Sequence, residues 1–392
     1  MGSRAKKKAR TLPQHLGDED RISRLPDELI HKILSFVDAK QAVETGTLSR
    51  RWRLLWTTLP FLSFGPYQNS EPKNVGKLIR HVLSKRNHQS HISDLKFCVY
   101  EKVCSEKLFE TFVDYASYHG VQSLYLELSS EYKPFKLSTF NSMSLNKLTL
   151  NVRLEECELQ SGVWDLPALT TLDLKHVCGY EDLYRSNSWL KDSLFTCLPA
   201  LTTLSLDDWN LSQLSSFSLP APKLCNFTAF GILTVTVGVP ELENVNISLQ
   251  GWFGNMELTR RKQFYRRLTV MLSGLGNAKN LTFDLESIEA LNKISKVLVS
   301  LPSPFGKLKY VKLPRGFEES SVSSALRTYL LGGSPNATFV TILPLNNGVE
   351  DPVVDANRSL RVEKLSEIEK AFGTRGTNLA AGFAGDDLLG SP

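Results

Sequence analysis

The segment Leu166-Pro-Ala-Leu-Thr-Thr-Leu-Asp-Leu174 returns almost verbatim as Leu198-Pro-Ala-Leu-Thr-Thr-Leu-Ser-Leu206. A near-identical copy about 30 residues on constrains the fold more than any single motif, because repeats of that period stack. Reading outward with the template L-x-x-L-x-L finds copies starting at Ile92, Val121, Leu145, Leu169 and Leu201. Weaker copies start at Leu224, Leu242, Ala278 and Leu308. Successive starts lie 18 to 36 residues apart. Chance in a leucine-rich chain supplies one or two such matches, not nine in order.

A strand turns alternate side chains to opposite faces, so the fourth and sixth positions of each copy point the same way. Stacked in parallel, these strands build one continuous core, which is the logic of a leucine-rich repeat. The uneven spacing predicts loops or short helices of varied length on the convex side. One is expected over Glu257 to Leu275, where Phe264, Leu268, Met271, Leu272 and Leu275 recur at helical spacing. Its Arg260, Arg261, Lys262, Arg266 and Arg267 read as a solvated face, with a phosphate or acidic-partner site as the alternative. The third, fifth and seventh positions face the concave surface. They supply Tyr125, Glu127, Lys147, Asn151, Asp173, Lys175, Ser205, Asp207, Asn226, Phe230, Asn244, Asn246, Tyr310 and Lys312. That surface is mixed polar. As a candidate target-binding set it offers Tyr125, Glu127, Asp173, Lys175, Asp207, Phe230, Tyr310 and Lys312, with the three aromatics as anchors.

Ahead of the repeats stands a different pattern. Pro26 suits a first helical position, Asp27 and Glu28 put negative charge at the positive end of the helix dipole, and Leu25, Leu29, Ile30, Ile33, Leu34 and Val37 form an apolar face. Asp38 caps a second short helix through Ala42 and Val43. Ser49 caps a third over Arg50 to Trp56, with Trp52 and Trp56 on one face. Three short helices in about 40 residues bury little by themselves and gain stability by docking.

The run Asp20 to Leu29, then Ile33-Leu34-Ser35-Phe36, then Leu48-Ser49-Arg50-Arg51-Trp52-Arg53-Leu54-Leu55-Trp56, closely resembles the F-box of plant F-box/leucine-rich-repeat proteins. The resemblance implies docking onto the Skp-type adaptor of a cullin-based ubiquitin ligase, with the repeats taking the protein substrate. By position it implies Leu25, Pro26, Leu29, Ile33, Leu34, Val43, Trp52 and Trp56 as the adaptor contact or its immediate support. One departure is Gly46-Thr47, where the family carries a small apolar pair. A helix-interior glycine costs about 1 kcal/mol relative to alanine, which weakens the module and leaves a non-degradative interaction scaffold as the alternative reading.

The expected architecture is an α/β repeat protein: a three-helix F-box followed by an irregular leucine-rich-repeat solenoid with parallel strands on its concave face. The expected boundaries are a disordered basic tail at 1–19, the F-box at 20–62, a helical connection at 63–90 and repeats at 91–315. A C-terminal cap follows at 316–345 and a mostly disordered tail at 346–392, with a short helix near Leu365 to Phe372. Within the cap, Leu326 to Pro344 reads as a helix and a strand and resembles the segment that follows the repeats in some plant F-box proteins.

The remaining features exclude other classes. No apolar run is long enough for a membrane-spanning helix, and the charged N-terminus leads into no signal-peptide core. Residence in the nucleus, the cytoplasm or both is expected. Six scattered cysteines without a CxxC pair fit reduced thiols rather than a metal or disulfide framework. Arg4, Lys6, Lys7, Lys8 and Arg10 account for the net charge of +5, so the body is neutral and nucleic acid is not an expected partner. His81, His88 and His91 lack a ligand spacing. No P-loop, GxGxxG, GxSxG or HExxH occurs. No metal, no cofactor and no catalytic residue is expected.

Overall fold

The structure is a computed structural model. It describes residues 24–65, 72–100, 106–130, 135–137, 140–154, 157–159, 164–175, 198–207, 217–218, 221–231, 235–236, 241–249 and 258–341. The basic run before residue 11, the tail at 346–392 and the short helix expected near Leu365 lie outside them.

Three helices open the described chain: α1 (Asp27–Leu34), α2 (Ala39–Glu44) and α3 (Trp52–Leu55). Asp38 accepts from the Gln41 amide at 2.8 Å while the Gln41 side chain accepts from the Asp38 amide, a reciprocal capping box that starts α2. The third helix is shorter than expected. The Ser49 hydroxyl accepts from the Trp52 amide at 3.3 Å, and Trp56–Thr58 tighten into a 3-10 turn. Thr57 and Thr58 donate back to Leu54 O and Leu55 O there, which competes with a longer α-helix.

Among the described residues an eleven-stranded parallel sheet follows. Its strands are β1 (Phe61–Phe64), β2 (Asp94–Tyr100), β3 (Ser123–Ser130), β4 (Lys147–Leu154), β5 (Thr171–Lys175) and β6 (Thr203–Asp207). They continue as β7 (Asn226–Phe230), β8 (Asn244–Ser248), β9 (Asn280–Phe283), β10 (Tyr310–Leu313) and β11 (Thr338–Thr341). Strand order is sequence order, and the register keeps equivalent template positions opposite one another. Leu95, Leu124, Leu148, Leu172 and Leu204 form one row, and Phe227, Val245, Leu281 and Val311 extend it. The first, fourth and sixth residues of all nine template copies are buried. A one-residue slip would turn a whole strand's apolar set to the other face, which fixes the register.

The sheet has two strands more than the template marked. Leu59, Leu62 and Phe64 supply β1 with first, fourth and sixth residues of the same pattern, all buried. At the other end β11 pairs Phe339 with Val311 but has Thr341 opposite Leu313, so the leucine signature fades where the stack ends. Gly65 closes β1 at φ 88°, and a Cβ there would run into the carbonyl of Cys98 on β2.

Helices enter where the intervals are long: α4 (Pro72–Lys85) before β2, α5 (Glu106–Tyr118) before β3 and α6 (Leu258–Gly274) before β9. Then α7 (Leu285–Lys293) and α8 (Ser295–Leu298) precede β10, and α9 (Ser324–Leu331) precedes β11. They cover the face formed by the fourth and sixth positions. Phe112 of α5, for instance, meets Phe97 at 4.4 Å and Phe64 at 5.8 Å between ring centroids. The outer face, carrying positions three, five and seven, is the one turned away from them.

One buried apolar cluster runs from Ile30 in α1 to Ala337 beside β11. The helical module and the sheet share it through Leu55, Trp56, Leu59 and Leu62. Arg86, almost fully buried just after α4, donates to Ser90 O at 2.8 Å and His91 O at 2.9 Å and also to Leu59 O. It ties the end of the helical module to the first inter-strand turn.

Candidate functional sites

Helix α1 carries two apolar stripes. Ile30 and Leu34, four apart, are buried, with Val37 packed beside them. Pro26, Leu29, Ile33 and Phe36 recur at spacings of three and four and face solvent, Leu29 with 51% and Ile33 with 38% of its surface free. Leu48 and Leu54, on neighbouring elements of the same module, are also exposed. Exposing this many large apolar side chains within 30 residues is the mark of a docking surface.

The eight residues named for adaptor contact therefore divide. Pro26, Leu29 and Ile33 are exposed. Leu25 and Val43 are half-buried against the core. Leu34, Trp52 and Trp56 are buried, Trp52 with only 2% of its surface free, so they support the exposed stripe from beneath. Phe36, Leu48 and Leu54 belong with the exposed set and were missed. Phe36 extends the 26-29-33 spacing, and that continuation was the available signal. Arg51 pairs with Asp27 in the first turn of α1, and the Thr58 hydroxyl lies 3.3 Å from His31 Nε2, fixing α1 against the third helix region. Gly46 lies in a 3-10 turn (Thr45–Thr47), where a Cβ would sit 3.2 Å from the Arg53 Cα. The glycine admits the close approach of the Arg53 backbone.

On the outer face of the sheet the register brings the named target residues into two rows. Position five runs Lys96, Tyr125, Thr149, Asp173, Ser205, and position seven runs Cys98, Glu127, Asn151, Lys175, Asp207. Tyr125 donates to Glu127 Oε2 at 2.9 Å, and the Lys96 ammonium stands 4.6 Å from the centre of its ring. Burial, reinforced by the Glu127 charge, pushes the Tyr125 phenol well above its ordinary range. Lys175 Nζ is 3.7 Å from Asp173 Oδ2. Tyr125, Glu127, Asp173 and Lys175 thus gather in one patch. Asp207 continues the seventh-position row by its backbone, while its side chain lies outside the described set. Phe230 and Tyr310 are exposed farther along, on β7 and β10, with Lys312 two residues beyond Tyr310. Between them a side-chain ladder passes from Asn280 to Asn244 at 3.2 Å, to Asn226 at 2.8 Å and to Thr203 at 3.4 Å.

The histidines do not cluster as a site. His88 pairs with His119 of the α5 end, Nδ1 to Nε2 at 3.3 Å, rather than with His81 or His91. Among the described residues no group of three or more His, Cys, Asp or Glu is placed to hold a metal ion. Cys98 and Cys225 are not joined in a disulfide. No helix among the described residues is long and apolar enough to cross a membrane.

Residues 22–64 match the model of the F-box domain, which covers all of α1 to α3 and ends with β1. A putative F-box/FBD/LRR-repeat protein of Arabidopsis thaliana is 25% identical over 335 residues, covering 83% of this chain and 75% of the relative. A putative FBD-associated F-box protein of the same plant is 26% identical over 312 residues, covering 70% and 67%. An Arabidopsis F-box protein is 31% identical over 238 residues, covering 55% of this chain and 71% of its own length. With an F-box at the exposed stripe of α1 and leucine-rich strands behind it, the chain belongs to the plant F-box/leucine-rich-repeat protein family.

Proposed function

We propose that this chain is the substrate-recognition subunit of an SCF (Skp-cullin-F-box) ubiquitin ligase. The exposed stripe of Pro26, Leu29, Ile33 and Phe36 docks the Skp-type adaptor and, through it, a cullin. The outer face of the sheet holds the protein destined for ubiquitination. The observation that carries this reading is the division of α1, in which one apolar stripe is spent on the core and the other is left for a partner. A contiguous apolar stripe over a well-packed support, with Phe36 as its aromatic member, suits the apolar centre of a protein interface.

In this reading the chain supplies position, not chemistry. Holding a target lysine near a thioester carried by other subunits raises its effective concentration, and no nucleophile or metal of this chain takes part.

The test is co-expression with a plant Skp-type adaptor. The unaltered chain is expected to co-purify with it. Leu29→Asp combined with Ile33→Asp places charge in the interface core and is expected to abolish capture, while a cooperative melting transition is retained because neither side chain is fully buried. Capture that survives this double substitution, or failure of the unaltered chain to bind any member of an adaptor panel, overturns the reading.

A further inference from the structure

We propose that the outer face between β2 and β5 contains a subsite for an arginine side chain of the target. The inference rests on the outer face being the target surface, and it names the chemistry that face selects.

The floor of the subsite is Thr149, a short buried side chain between Tyr125 on β3 and Asp173 on β5 in the position-five row. Asn151 stands beside it in the next row, between Glu127 and Lys175, with only 9% of its surface free. Its amide is used inward, toward the Tyr125 phenol, which in turn donates to Glu127. That relay fixes which way the carboxamide points. Its Oδ1 accepts from no donor, and the buried Oδ1 of Asp173 likewise has none. A buried acceptor left without a donor is unfavourable, more so where the group is charged. Two such oxygens lie on neighbouring strands of this face, where donors brought by a ligand would satisfy them together.

The complement is a planar cation with several donors. A guanidinium can give a bidentate pair to Asp173 and a further N–H to Asn151, the geometry at which arginine exceeds lysine. The resident cations do not already do this. Lys96 is engaged with the Tyr125 ring, and Lys175 sits 3.7 Å from Asp173, beyond hydrogen-bond length, with 37% of its side chain exposed. So loose a surface pair is worth little, and Lys175 can be displaced into water to admit the incoming group.

The experiment uses the full chain and a positional library of acetylated decapeptides of defined sequence, followed by a selected arginine peptide and its citrulline and lysine forms. Arginine is expected to be enriched at one position. Citrulline, which keeps the planar shape but carries no charge and has a carbonyl in place of one NH2, is expected to bind about ten- to a hundredfold more weakly. Asp173→Asn is expected to erase the arginine–citrulline difference with no change in melting temperature, and Lys175→Met to tighten the arginine peptide. Peptides that bind the outer face with no arginine preference, or that prefer acidic residues through Lys96 and Lys175, overturn the subsite but leave the outer face as the target surface. An arginine preference unmoved by Asp173→Asn also overturns it. If no peptide binds in a manner sensitive to outer-face substitutions, the target-surface reading itself falls.

Discussion

Trp52 and Leu29 show how far two apolar residues of one small module can differ in what they do. Trp52 is sealed in the core, so Trp52→Ala should cost about 3–5 kcal/mol in urea denaturation and reduce adaptor capture only through unfolding. Leu29→Ala should leave stability within about 0.5 kcal/mol and still weaken capture. Helical spacing identified both residues as apolar, and the F-box resemblance named both as the adaptor contact or its immediate support. It could not divide them, because α1 bears apolar stripes on two sides and only the packing of α2 and α3 decides which one is covered. At Gly46 propensity and packing pull in opposite directions. Propensity counts the glycine as a loss, whereas the Arg53 backbone 3.2 Å from its would-be Cβ makes it a fitted contact. Gly46→Val should therefore destabilise the module by about 1–3 kcal/mol through overpacking, measured by the same denaturation.

The strands were legible to the degree that they kept the template. Nine copies were readable because leucine-type residues recur at positions one, four and six, and the sheet pairs them in that register. β1 was obscured by its place at the end of the F-box pattern, although Leu59, Leu62 and Phe64 fit the template. β11 was obscured because a terminal strand covers core from one side only and tolerates Thr341. Connections between elements were less legible still. The junction of α4 with β2 is closed by Arg86, whose guanidinium burial lowers its pKa while the Tyr115 beside it is raised by its own burial. Arg86→Lys cannot reach Leu59 O, Ser90 O and His91 O with one planar fork, and a loss of about 2–3 kcal/mol is expected in denaturant titration. The α5 end has a titrating partner. Burial, then His88 and Arg86, holds His119 below the usual imidazole value. Tyr115 and Tyr118 complete its surroundings. With the folded value depressed, the unfolded chain takes up the proton first as pH falls, so this contribution is complete above about pH 6.5 and is lost below it. His119→Asn should flatten the fall in melting temperature between pH 7 and pH 5 relative to the unaltered chain.

At the scale of the whole molecule, the F-box and the repeats share one core, which no sequence pattern announced because helical and strand periodicities each describe only their own side of Leu59 to Phe64. A shared core fixes the docking stripe relative to the outer face, and proximity-driven transfer is most effective when geometry is held. Yet the two surfaces use separate side chains. Leu29 and Ile33 lie on α1 and Asp173 on β5, with no residue common to both. Substitutions that share no partner are expected to act additively. Leu29→Asp with Ile33→Asp should abolish adaptor capture and leave the affinity for a selected arginine peptide unchanged. Asp173→Asn should do the reverse, and the triple variant should show both losses while still melting cooperatively. Core damage gives a different signature. Leu62→Ala removes a buried side chain at the seam and should lower stability by about 2–5 kcal/mol. At temperatures where that variant begins to unfold, adaptor capture and peptide binding should fall together, since the seam belongs to both modules. Adaptor capture that persists at full strength after the sheet has melted would show that the F-box folds independently of the repeats and that the seam carries no coupling.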